Sequence, residues 1–581
     1  MVHPAVPCER HSRMFYRVPA NLSSSENFLS CAQISSIMKK TFASVVVLCV
    51  ILLGVVALVL PRSAVSCEEL TSRAAQEYLT PIRPGGVDGS PFWNIYSQRF
   101  VYAPAFDFKE VEGAVKYSFK AVHKSGPTLI FQAKSPTESL SDIWGEIPVG
   151  NVFLKVEALD AAGNVIGLAG KREFIRAYPF VAGQIQPARD YRDAALKACL
   201  YIHNMKAVQH WKDHKTPDMS YPFNAYVSKI IGATVRTECL IAELVPELRD
   251  EALQIASNAA EYMVSISFGE GSSLRGWPPT YGLSPDDEFS HPAKVARLNA
   301  GKAMVIEGSK AGEAFLDLYV ATKEEKWLEK AYDVAETFKR IQNTDGSWPT
   351  RINAMTGAQI GRTMVYPGHI LRFLRRCVEE FEFIDFQSVI DNAESYINNV
   401  ALKEFDLTGQ FEDSLYDMLE PYSNLTNFTA SPYADYLLTK KNPTQEDIAN
   451  AKDLIRLSED QFVHWDYPVG PDGFKDRIVP CVNEQYYFEV PVDASAADVC
   501  DGYLSLYEYE SDELALAKAE ALLAALTHAQ DEETGRIPTL LNYVDRDGNM
   551  SDEFWLNCSW WSIKALLRLD GIKESDCGKG R

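Results

Sequence analysis

One long stretch of the chain is repeated, and this repeat constrains the fold more than any other feature. Residues 315–342, FLDLYVATKEEKWLEKAYDVAETFKRIQ, align without gaps on residues 503–530, YLSLYEYESDELALAKAEALLAALTHAQ. Each copy carries Leu-x-Leu-Tyr on one helical pattern, then a short acidic corner, a second helical pattern and a closing Gln. A repeat of this length indicates that one helical hairpin has been copied along the chain.

Amphipathic helical patterns fill the chain after residue 185, and about twelve can be counted. We expect them near 187–205, 220–245, 249–267, 305–321, 324–342, 366–382, 385–402, 430–440, 445–463, 494–509, 512–529 and 556–570. Short corners alternate with long aromatic-rich loops, so six antiparallel pairs would place all the long loops at one end.

This organisation resembles the six-hairpin (α/α)6 toroid of carbohydrate-active enzymes, over about residues 185–572. The resemblance implies a mainly α fold, an inner ring of helices wrapped by an outer ring, and a substrate groove at the loop-rich end. The loop DGSWPT, residues 345–350, would then hold Trp348 on the rim of that groove. Gly346 and Pro349 explain why the preceding helix ends there.

A small all-β unit precedes the helices, at residues 95–178. Its segments alternate apolar and polar residues between turn signals, as in NVFLKVEALDAAGNVIG at 151–167. The pattern resembles a fibronectin type III or immunoglobulin-like β-sandwich. Such a resemblance predicts a fold and implies no activity.

The N-terminal extension, residues 1–66, contains one apolar stretch of membrane length at 41–60, directly after Lys39 and Lys40. Ala64-Val65-Ser66 has the small-x-small pattern that signal peptidase recognises. We interpret the region as a signal peptide that starts at Met38, as a signal anchor, or as a lipoprotein signal with the lipid anchor on Cys67. Each interpretation predicts that the rest of the chain is exported.

The net charge and the positions of the histidines and cysteines limit which partners and sites the chain is expected to have. The formal net charge of -22 and the pI near 5.0 argue against nucleic acid as a partner. His210 and His214 have the spacing of a metal pair, but the Glu of a metalloprotease motif is missing, so neither metal nor cofactor is predicted. Four cysteines in helical patterns are expected to be small buried hydrophobes: Cys199, Cys239, Cys377 and Cys500.

The long loops combine aromatic residues with carboxylates and amides, which is the chemistry that sugar binding needs. The apolar C–H faces of a pyranose stack on aromatic rings, and its hydroxyl groups need planar polar partners. The candidate substrate-binding residues are Trp277, Tyr281, Trp348, Tyr366, His369, Tyr422, Trp465, Tyr467, Tyr486 and Arg536.

A pair of carboxyl groups is the minimum for glycoside hydrolysis, one protonated and one ionised. Glu412 and Asp413 lie side by side in the loop GQFEDS, and Glu484 lies in NEQYY, just before an inner helix. We therefore predict that Glu412 or Asp413, together with Glu484, is catalytic in a glycoside hydrolase.

Two alternatives stay open. A uronic-acid lyase or C5-epimerase would remove the C5 proton with Tyr366, His369 or Tyr486, while an arginine such as Arg536 meets the substrate carboxylate. A glycan-binding toroid without catalysis would keep the aromatic residues and tolerate the loss of every carboxylate.

The carboxylate prediction is tested by replacing Glu412, Asp413 and Glu484 singly with the matching amide. For a hydrolase, turnover of the cleaved polysaccharide should fall by about a hundredfold or more in at least one variant, while binding is retained. Release of new reducing ends measures turnover. Unchanged turnover in all three variants would contradict this assignment.

Overall fold

The structure is a computed structural model, and it describes residues 65–82, 93–282, 290–410, 419–467, 478–487, 490–541, 551 and 553–579. Residues Val65–Arg581 cluster as one compact unit. The apolar stretch at 41–60 and the carboxylates Glu412 and Asp413 lie outside the described residues. Within them, no helix is both long enough and apolar enough to cross a membrane.

The β unit begins after a first helix, α1 (Cys67–Glu77). Its strands are β1 (Arg99–Phe100), β2 (Lys116–His123), β3 (Thr128–Ala133), β4 (Gly150–Leu159) and β5 (Val165–Arg176). They form one sheet in the order β1-β5-β4-β2-β3, in which β1 runs parallel to β5 and the other neighbours are antiparallel.

The expected β-sandwich needs correction, because the described residues of this unit form a single sheet. The second layer consists of coil and the four-residue helix Ser141–Trp144. Phe174 on β5 contacts Phe100, Phe106 and Trp144 at ring-centroid distances of 5.9, 5.6 and 6.0 Å. These large rings fill the space that a second sheet would occupy, so alternation alone could not reveal what covers the sheet.

The rest of the described chain is mostly helical, and its twelve long helices match the predicted patterns. They are α2 (Tyr191–Asn204), α3 (Gly232–Leu244), α4 (Arg249–Ser265), α5 (Glu307–Thr322), α6 (Glu325–Ile341), α7 (Gly368–Glu379), α8 (Gln387–Tyr396), α9 (Ala430–Leu438), α10 (Gln445–Phe462), α11 (Asp493–Glu510), α12 (Glu513–Ala529) and α13 (Leu556–Lys579).

Shorter elements lie in the connections between these helices. The helical segments are Lys206–Gln209, His210–Lys212, Pro222–Ala225, Val227–Ile231, Pro246–Leu248, His291–Leu298, Ile384–Phe386, Ile397–Ala401 and Leu402–Glu404. Strands β6 (Lys302–Met304), β7 (Pro349–Asn353) and β8 (Gln359–Met364) form a sheet, and β9 (Val463–His464) pairs with β10 (Cys481–Val482).

The twelve helices form two concentric rings. In the inner ring α3, α5, α7, α9, α11 and α13 contact one another in that order, and α13 returns to α3. Each outer helix packs against an inner one, and α2 closes the outer ring by packing on α13. The long connections enter the inner helices at their N-termini, so they gather at one end, which we call the loop end.

Burial distinguishes the two rings. Every residue of α9 is buried, and so is nearly every residue of α11 up to Leu506. The outer helix α6 instead buries one stripe, which includes Trp327, Val334 and Phe338. An inner helix has neighbours on all sides, whereas α6 has protein on one face only, and the hydrophobic patterns follow this difference.

The two copies of the repeat are equivalent hairpins, α5–α6 and α11–α12. Lys323 and Ser511, which are equivalent positions, both end the inner helix in the left-handed conformation with φ of 62° and 59°. Each donates its N–H to a tyrosine carbonyl, of Tyr319 and Tyr507 respectively, at 2.7 Å. The turn is therefore repeated in its backbone conformation although its side chains differ.

The closing glutamines of the repeat join each hairpin to the next outer helix. Gln342 donates from Nε2 to the carbonyls of Gly346 and Val389, at 3.1 and 2.9 Å. Gly346 has φ +90° and lies against the backbone of α8, where a Cβ would come within 2.1 Å of a carbonyl oxygen. A side chain could not be placed there, which explains the glycine in DGSWPT.

The tryptophans of two loops are core residues. Trp348 is fully buried and donates from Nε1 to the carbonyl of Phe338 at 3.0 Å. Trp277 is 1% exposed and donates to the carbonyl of Val334 at 3.1 Å. The expectation that Trp348 and Trp277 would line a substrate groove is therefore wrong. Both indole side chains belong to the core and pack against α6. The four helical cysteines are buried, as predicted.

One buried carboxylate joins the N-terminal region to the toroid. Glu459 on α10 is fully buried and accepts hydrogen bonds from the hydroxyls of Tyr78 and Tyr102, at 2.6 and 2.8 Å. It also accepts one from the indole of Trp465 at 3.0 Å, and its other partner is the ammonium of Lys518 at 2.7 Å. The two carboxylate oxygens of Glu459 thus contact four donor groups, which compensate for the burial of its charge.

Glu459→Gln should lower the free energy of unfolding by about 3 kcal/mol, because Lys518 would lose its principal buried counter-charge. Urea denaturation followed by circular dichroism measures the change. The control is Glu520→Gln, which breaks the exposed 2.7 Å pair with Lys573 and should cost less than about 1 kcal/mol. Equal denaturation midpoints for Glu459→Gln and the wild type would contradict this role.

Candidate active site

Of the predicted catalytic carboxylates, the structure describes Glu484. Its side chain is half-buried, and its carbonyl oxygen accepts a hydrogen bond from the N–H of Asn427 at 2.9 Å. The negative charge of Glu484 acts on Asp493, the first residue of α11. Glu484 therefore lies at the loop end next to an inner helix, as the sequence predicted, and its pairing with Glu412 or Asp413 stays a prediction.

The aromatic candidates are dispersed over several surroundings. Trp465 is 1% exposed and serves the Glu459 cluster described above, so it is not a sugar platform. Tyr467 and Tyr486 line a cleft between the sheet and the toroid. Tyr281 is half-buried and its ring lies 5.9 Å from that of Tyr226.

The remaining candidates lie in other parts of the loop end. Tyr422 is half-buried and donates its hydroxyl to the carbonyl of Glu404 at 3.0 Å. Tyr366 is 2% exposed, with its ring edge-on to Tyr433 at 5.9 Å. The guanidinium of Arg536 lies 5.6 Å from the ring of Phe554. None of these three lines the cavity described next.

A cavity of about 500 Å³ lies on the axis of the toroid, and its lining residues belong to the inner helices, apart from Thr439, which directly follows α9. Its charged lining is mainly cationic: Arg236, Lys310, Arg372, Arg375, Arg376, Lys564 and Arg568, against Glu313, Asp435 and Asp501. His369 and Trp561 complete much of the wall. We call this space the axial cavity.

Buried ion pairs join the inner helices around the part of the axial cavity that is distant from the loop end. Arg568 contacts Asp435 and Asp501 at 3.1 Å each, and Arg372 contacts Asp435 at 3.3 Å. Burial opposes the charge of Glu313, but the guanidinium groups of Arg376 and Arg236 outweigh it and lower the pKa of this carboxyl to about 2. Glu313 is therefore ionised at neutral pH.

His369, in the first turn of α7, faces the loop end of the axial cavity. Its side chain is 5% exposed, and Nε2 has no hydrogen-bond partner among the described residues. Burial lowers the pKa of His369 well below its usual value, and the charges of Lys310 and Arg372 lower it further. A hydrogen bond with the backbone of Phe428 acts in the opposite direction. His369 is therefore a neutral imidazole at pH 7 with one available nitrogen.

Two aspartates of α11 have raised pKa values, in contrast to the lowered pKa of His369. Burial raises the pKa of Asp498 well above its usual value, and the neighbouring carboxylate of Asp501 adds to the effect. Burial likewise raises the pKa of Asp493, whose Oδ2 accepts a hydrogen bond from Ser562 at 3.0 Å. For both residues, Oδ1 has no hydrogen-bond partner in the described part of the chain. Both are therefore candidate proton donors.

Lys564 on α13 is a cation without a carboxylate partner among the described residues. Its ammonium lies 4.9 Å from the centroid of the Trp561 ring. Burial lowers the pKa of Lys564 to about 8, and the charge of Arg372 contributes. Lys310 differs, since its ammonium pairs with Glu307 at 3.0 Å and lies 4.7 Å from the ring of Phe428.

These side chains form one constellation, which we call the axial site: Lys310, His369, Asp498, Trp561 and Lys564. The charges of Lys310, Arg372 and Lys564 act on both His369 and Asp498, which places the groups in one neighbourhood. Of this set, Lys310, His369, Trp561 and Lys564 line the axial cavity. A base, an acid and a cation with perturbed pKa values in one neighbourhood are typical of catalytic sites.

Sequence reasoning identified His369 alone among the members of the axial site. The others lie on helices and not in the long loops where aromatic and acidic residues are concentrated. One signal could have indicated them, since Asp498, Lys310 and Lys564 are charges within helices that are otherwise buried on every side. A charge on such a helix must face either a partner or a cavity.

Metal-ligating side chains do not cluster in the described ranges, where no group of three or more is placed to hold an ion. The rings of His210 and His214 stack at 3.9 Å, and Nδ1 of His214 lies 3.0 Å from the carbonyl of His210. This pair is a local contact at the surface.

No protein-family model matches the chain, and no curated protein sequence matches it. Among solved structures, it is similar to a family 76 glycoside hydrolase from a bovine Bacteroides thetaiotaomicron strain, with 11% identity, a TM-score of 0.43, and 84% of this chain and 100% of that chain covered.

It is also similar to the cellobiose 2-epimerase from Spirochaeta thermophila, with 11% identity, a TM-score of 0.45 and coverages of 66% and 98%. A polysaccharide lyase matches with 12% identity, a TM-score of 0.39 and coverages of 79% and 63%. At these scores the likeness carries no information about substrate or mechanism.

Lys564→Met should stabilise the protein at pH 7 by about 1–3 kcal/mol, because the buried ammonium disfavours the folded state. The unfolded lysine titrates near pH 10.4 and the folded one at about 8. The penalty is therefore complete below pH 8 and disappears as the pH rises towards 10.4. Urea denaturation at pH 7 and pH 10 measures both.

The control is Lys573→Met, on the exposed face of the same helix, where a change within about 0.5 kcal/mol is expected. A loss of stability in Lys564→Met at pH 7 would show that the ammonium has a favourable buried partner.

Proposed function

We propose that this chain is an enzyme that acts on a poly- or oligosaccharide by acid–base catalysis at the axial site. The observation that carries the proposal is His369, a neutral imidazole with an available Nε2, in the field of the same cations that act on Asp498, a carboxyl whose pKa burial raises. This combination supports proton abstraction from a sugar, so the uronic-acid lyase or C5-epimerase alternative is the function that the geometry favours.

The chemistry of a uronide explains each member of the axial site. The C5 proton of a uronic acid becomes acidic enough to remove only when the neighbouring carboxylate is neutralised. In this proposal the ammonium of Lys564 neutralises this carboxylate, and the N-termini of the inner helices add positive potential at the same end. Trp561 offers an apolar face to the sugar ring.

In a lyase, the proposed steps use these groups in one sequence. Nε2 of His369 takes the C5 proton, and the electron pair that this leaves forms the C4–C5 double bond. The C4–O bond then breaks, and Asp498 gives its proton to the departing oxygen. In an epimerase, the C5 carbanion is instead reprotonated on the opposite face.

Hydrolysis is the second candidate, and the raised pKa of Asp493 favours it. Asp493, a carboxyl whose pKa burial raises, and the nearby Glu484 would supply the two carboxyl groups that glycosidases need. On this interpretation Glu484 and Glu412 or Asp413 act as the sequence predicted, with Asp493 as a further acid.

Export is part of the proposal, and it rests on the sequence alone. The apolar stretch at 41–60 and the small-x-small pattern at Ala64 and Ser66 are typical of exported proteins. A polysaccharide substrate outside the cell would agree with this location.

The proposal is tested by incubating the full chain with uronate-containing and neutral polysaccharides in D2O. We expect new ultraviolet absorbance from unsaturated uronides, or deuterium at C5 by NMR, and the loss of either signal by at least about a hundredfold in His369→Gln. His528→Gln, on the exposed side of α12, is the control. Reducing ends without absorbance or deuterium would instead support hydrolysis.

The pH dependence should have an asymmetric form. The pKa of His369 lies well below 6.5, so kcat should not fall between pH 7 and pH 6. Lys564 loses its charge near pH 8, so KM for a uronate polymer should rise above that pH. A KM that stays constant up to pH 10 would contradict the role of Lys564.

A further inference from the structure

A second cavity, of about 320 Å³, lies between the N-terminal sheet and the toroid, apart from the axial cavity. One wall comes from the residues next to β1 and from the end of β5. The other comes from the loop segments that follow α10 and precede α11. We call this space the interdomain cleft.

Hydrogen bonds between the sheet side and the toroid side hold the two walls of the cleft together. Arg99 donates to the carbonyls of Asp460 and Val463, at 3.1 and 2.7 Å. The hydroxyls of Ser97 and Tyr486 lie 2.9 Å apart. The cleft therefore keeps its shape without a ligand, which lowers the entropic cost of binding one.

Four tyrosines stand around the cleft with their rings partly in solvent. Tyr96 and Tyr178 on the sheet side are each 37% exposed, and Tyr467 and Tyr487 on the toroid side are 45% and 63% exposed. A tyrosine ring offers an apolar face and a polar tip, which suits the apolar face and hydroxyl rim of a sugar.

Buried amides supply the polar partners that such a ligand needs. Asn483 is 7% exposed and lines the cleft, and its Oδ1 has no hydrogen-bond partner among the described residues. Gln485 is 6% exposed and lines the same wall, where its Oε1 accepts from Asn424 at 2.7 Å. Polar groups buried at a cleft wall with spare hydrogen-bonding capacity indicate a polar ligand.

We propose that the interdomain cleft is a second saccharide-binding site that holds a poly- or oligosaccharide by stacking on Tyr467 and Tyr487. The proposal rests on the proposed function only in taking a saccharide as the ligand. No charged pair dominates the cleft in the way that arginines dominate the axial cavity, so the contacts suit hydroxyl groups and ring faces.

The chain connects this cleft to the loop end of the inner ring. Asn483 and Gln485 line the cleft, whereas the charge of Glu484, between them, acts on Asp493, the first residue of the inner helix α11. Residues 483–485 therefore border both the cleft and the N-terminus of α11. A long saccharide chain bound in the cleft would be kept close to the loop end, which raises its local concentration there.

The test is affinity electrophoresis of the full chain in native gels that contain polygalacturonate, alginate, hyaluronan, mannan or soluble cellulose oligosaccharides. We expect at least one polymer to retard the wild type, and Tyr467→Ala combined with Tyr487→Ala to raise its Kd by about tenfold. Tyr509→Ala is the matched control, since Tyr509 is 40% exposed at the end of α11 and does not line the cleft.

The outcomes separate this inference from the proposed function. Retardation of the double variant equal to that of the wild type, or no retardation of the wild type by any polymer, would overturn the cleft. KM for the polymer should rise in the double variant, because the cleft no longer holds the chain near the loop end. A cleft that binds while no polymer is turned over would leave the inference standing and contradict the enzyme.

Discussion

Closure of the inner helices into a ring is the constraint on which the rest of the structure depends. Six helices that surround one axis are buried along most of their length, so the charges on their axial faces lie among the other five helices. Burying an isolated charge there would cost a large desolvation free energy, and most of the buried arginines and carboxylates are therefore paired. Arg568 between Asp435 and Asp501 is the central example.

The same closure creates the chemistry at the loop end. Beyond the paired region, His369, Asp498 and Lys564 are buried without enough opposite charge, and burial shifts the pKa of each towards its uncharged form. A neutral imidazole, a carboxyl with a raised pKa and a lysine with a pKa of about 8 thereby lie in one neighbourhood. The ion pairs hold the ring closed, and in the proposed function the incompletely paired groups supply the reactivity.

Side-chain hydrogen bonds attach the loops and the N-terminal region to this ring. Gln342 and Gln530 each donate to the glycine of the following loop and to the next outer helix, at Val389 and Ala194. Tryptophans cover the core at the same end. Glu459 then attaches the first helix and the sheet through hydroxyl, indole and ammonium donors.

Local pattern was sufficient for the helices and misleading for the aromatic residues. The 3.6-residue period depends only on which face of a helix is buried, so the twelve helices could be predicted. A tryptophan in a loop looks the same in sequence whether it covers a core or a ligand. Trp348, Trp277 and Trp465 were therefore predicted to bind sugar, and all three donate their indole N–H within the protein.

The sequence by itself determined the number of hairpins, their order and the end at which the long loops gather, because these follow from periodicity and from the repeat. Tertiary structure alone decided which residues meet on the axis. Lys310, His369, Asp498 and Lys564 are separated by up to 254 positions, from 310 to 564, and belong to four different helices. Their shifted pKa values arise from burial and from one another's charge, and neither exists until the ring has closed.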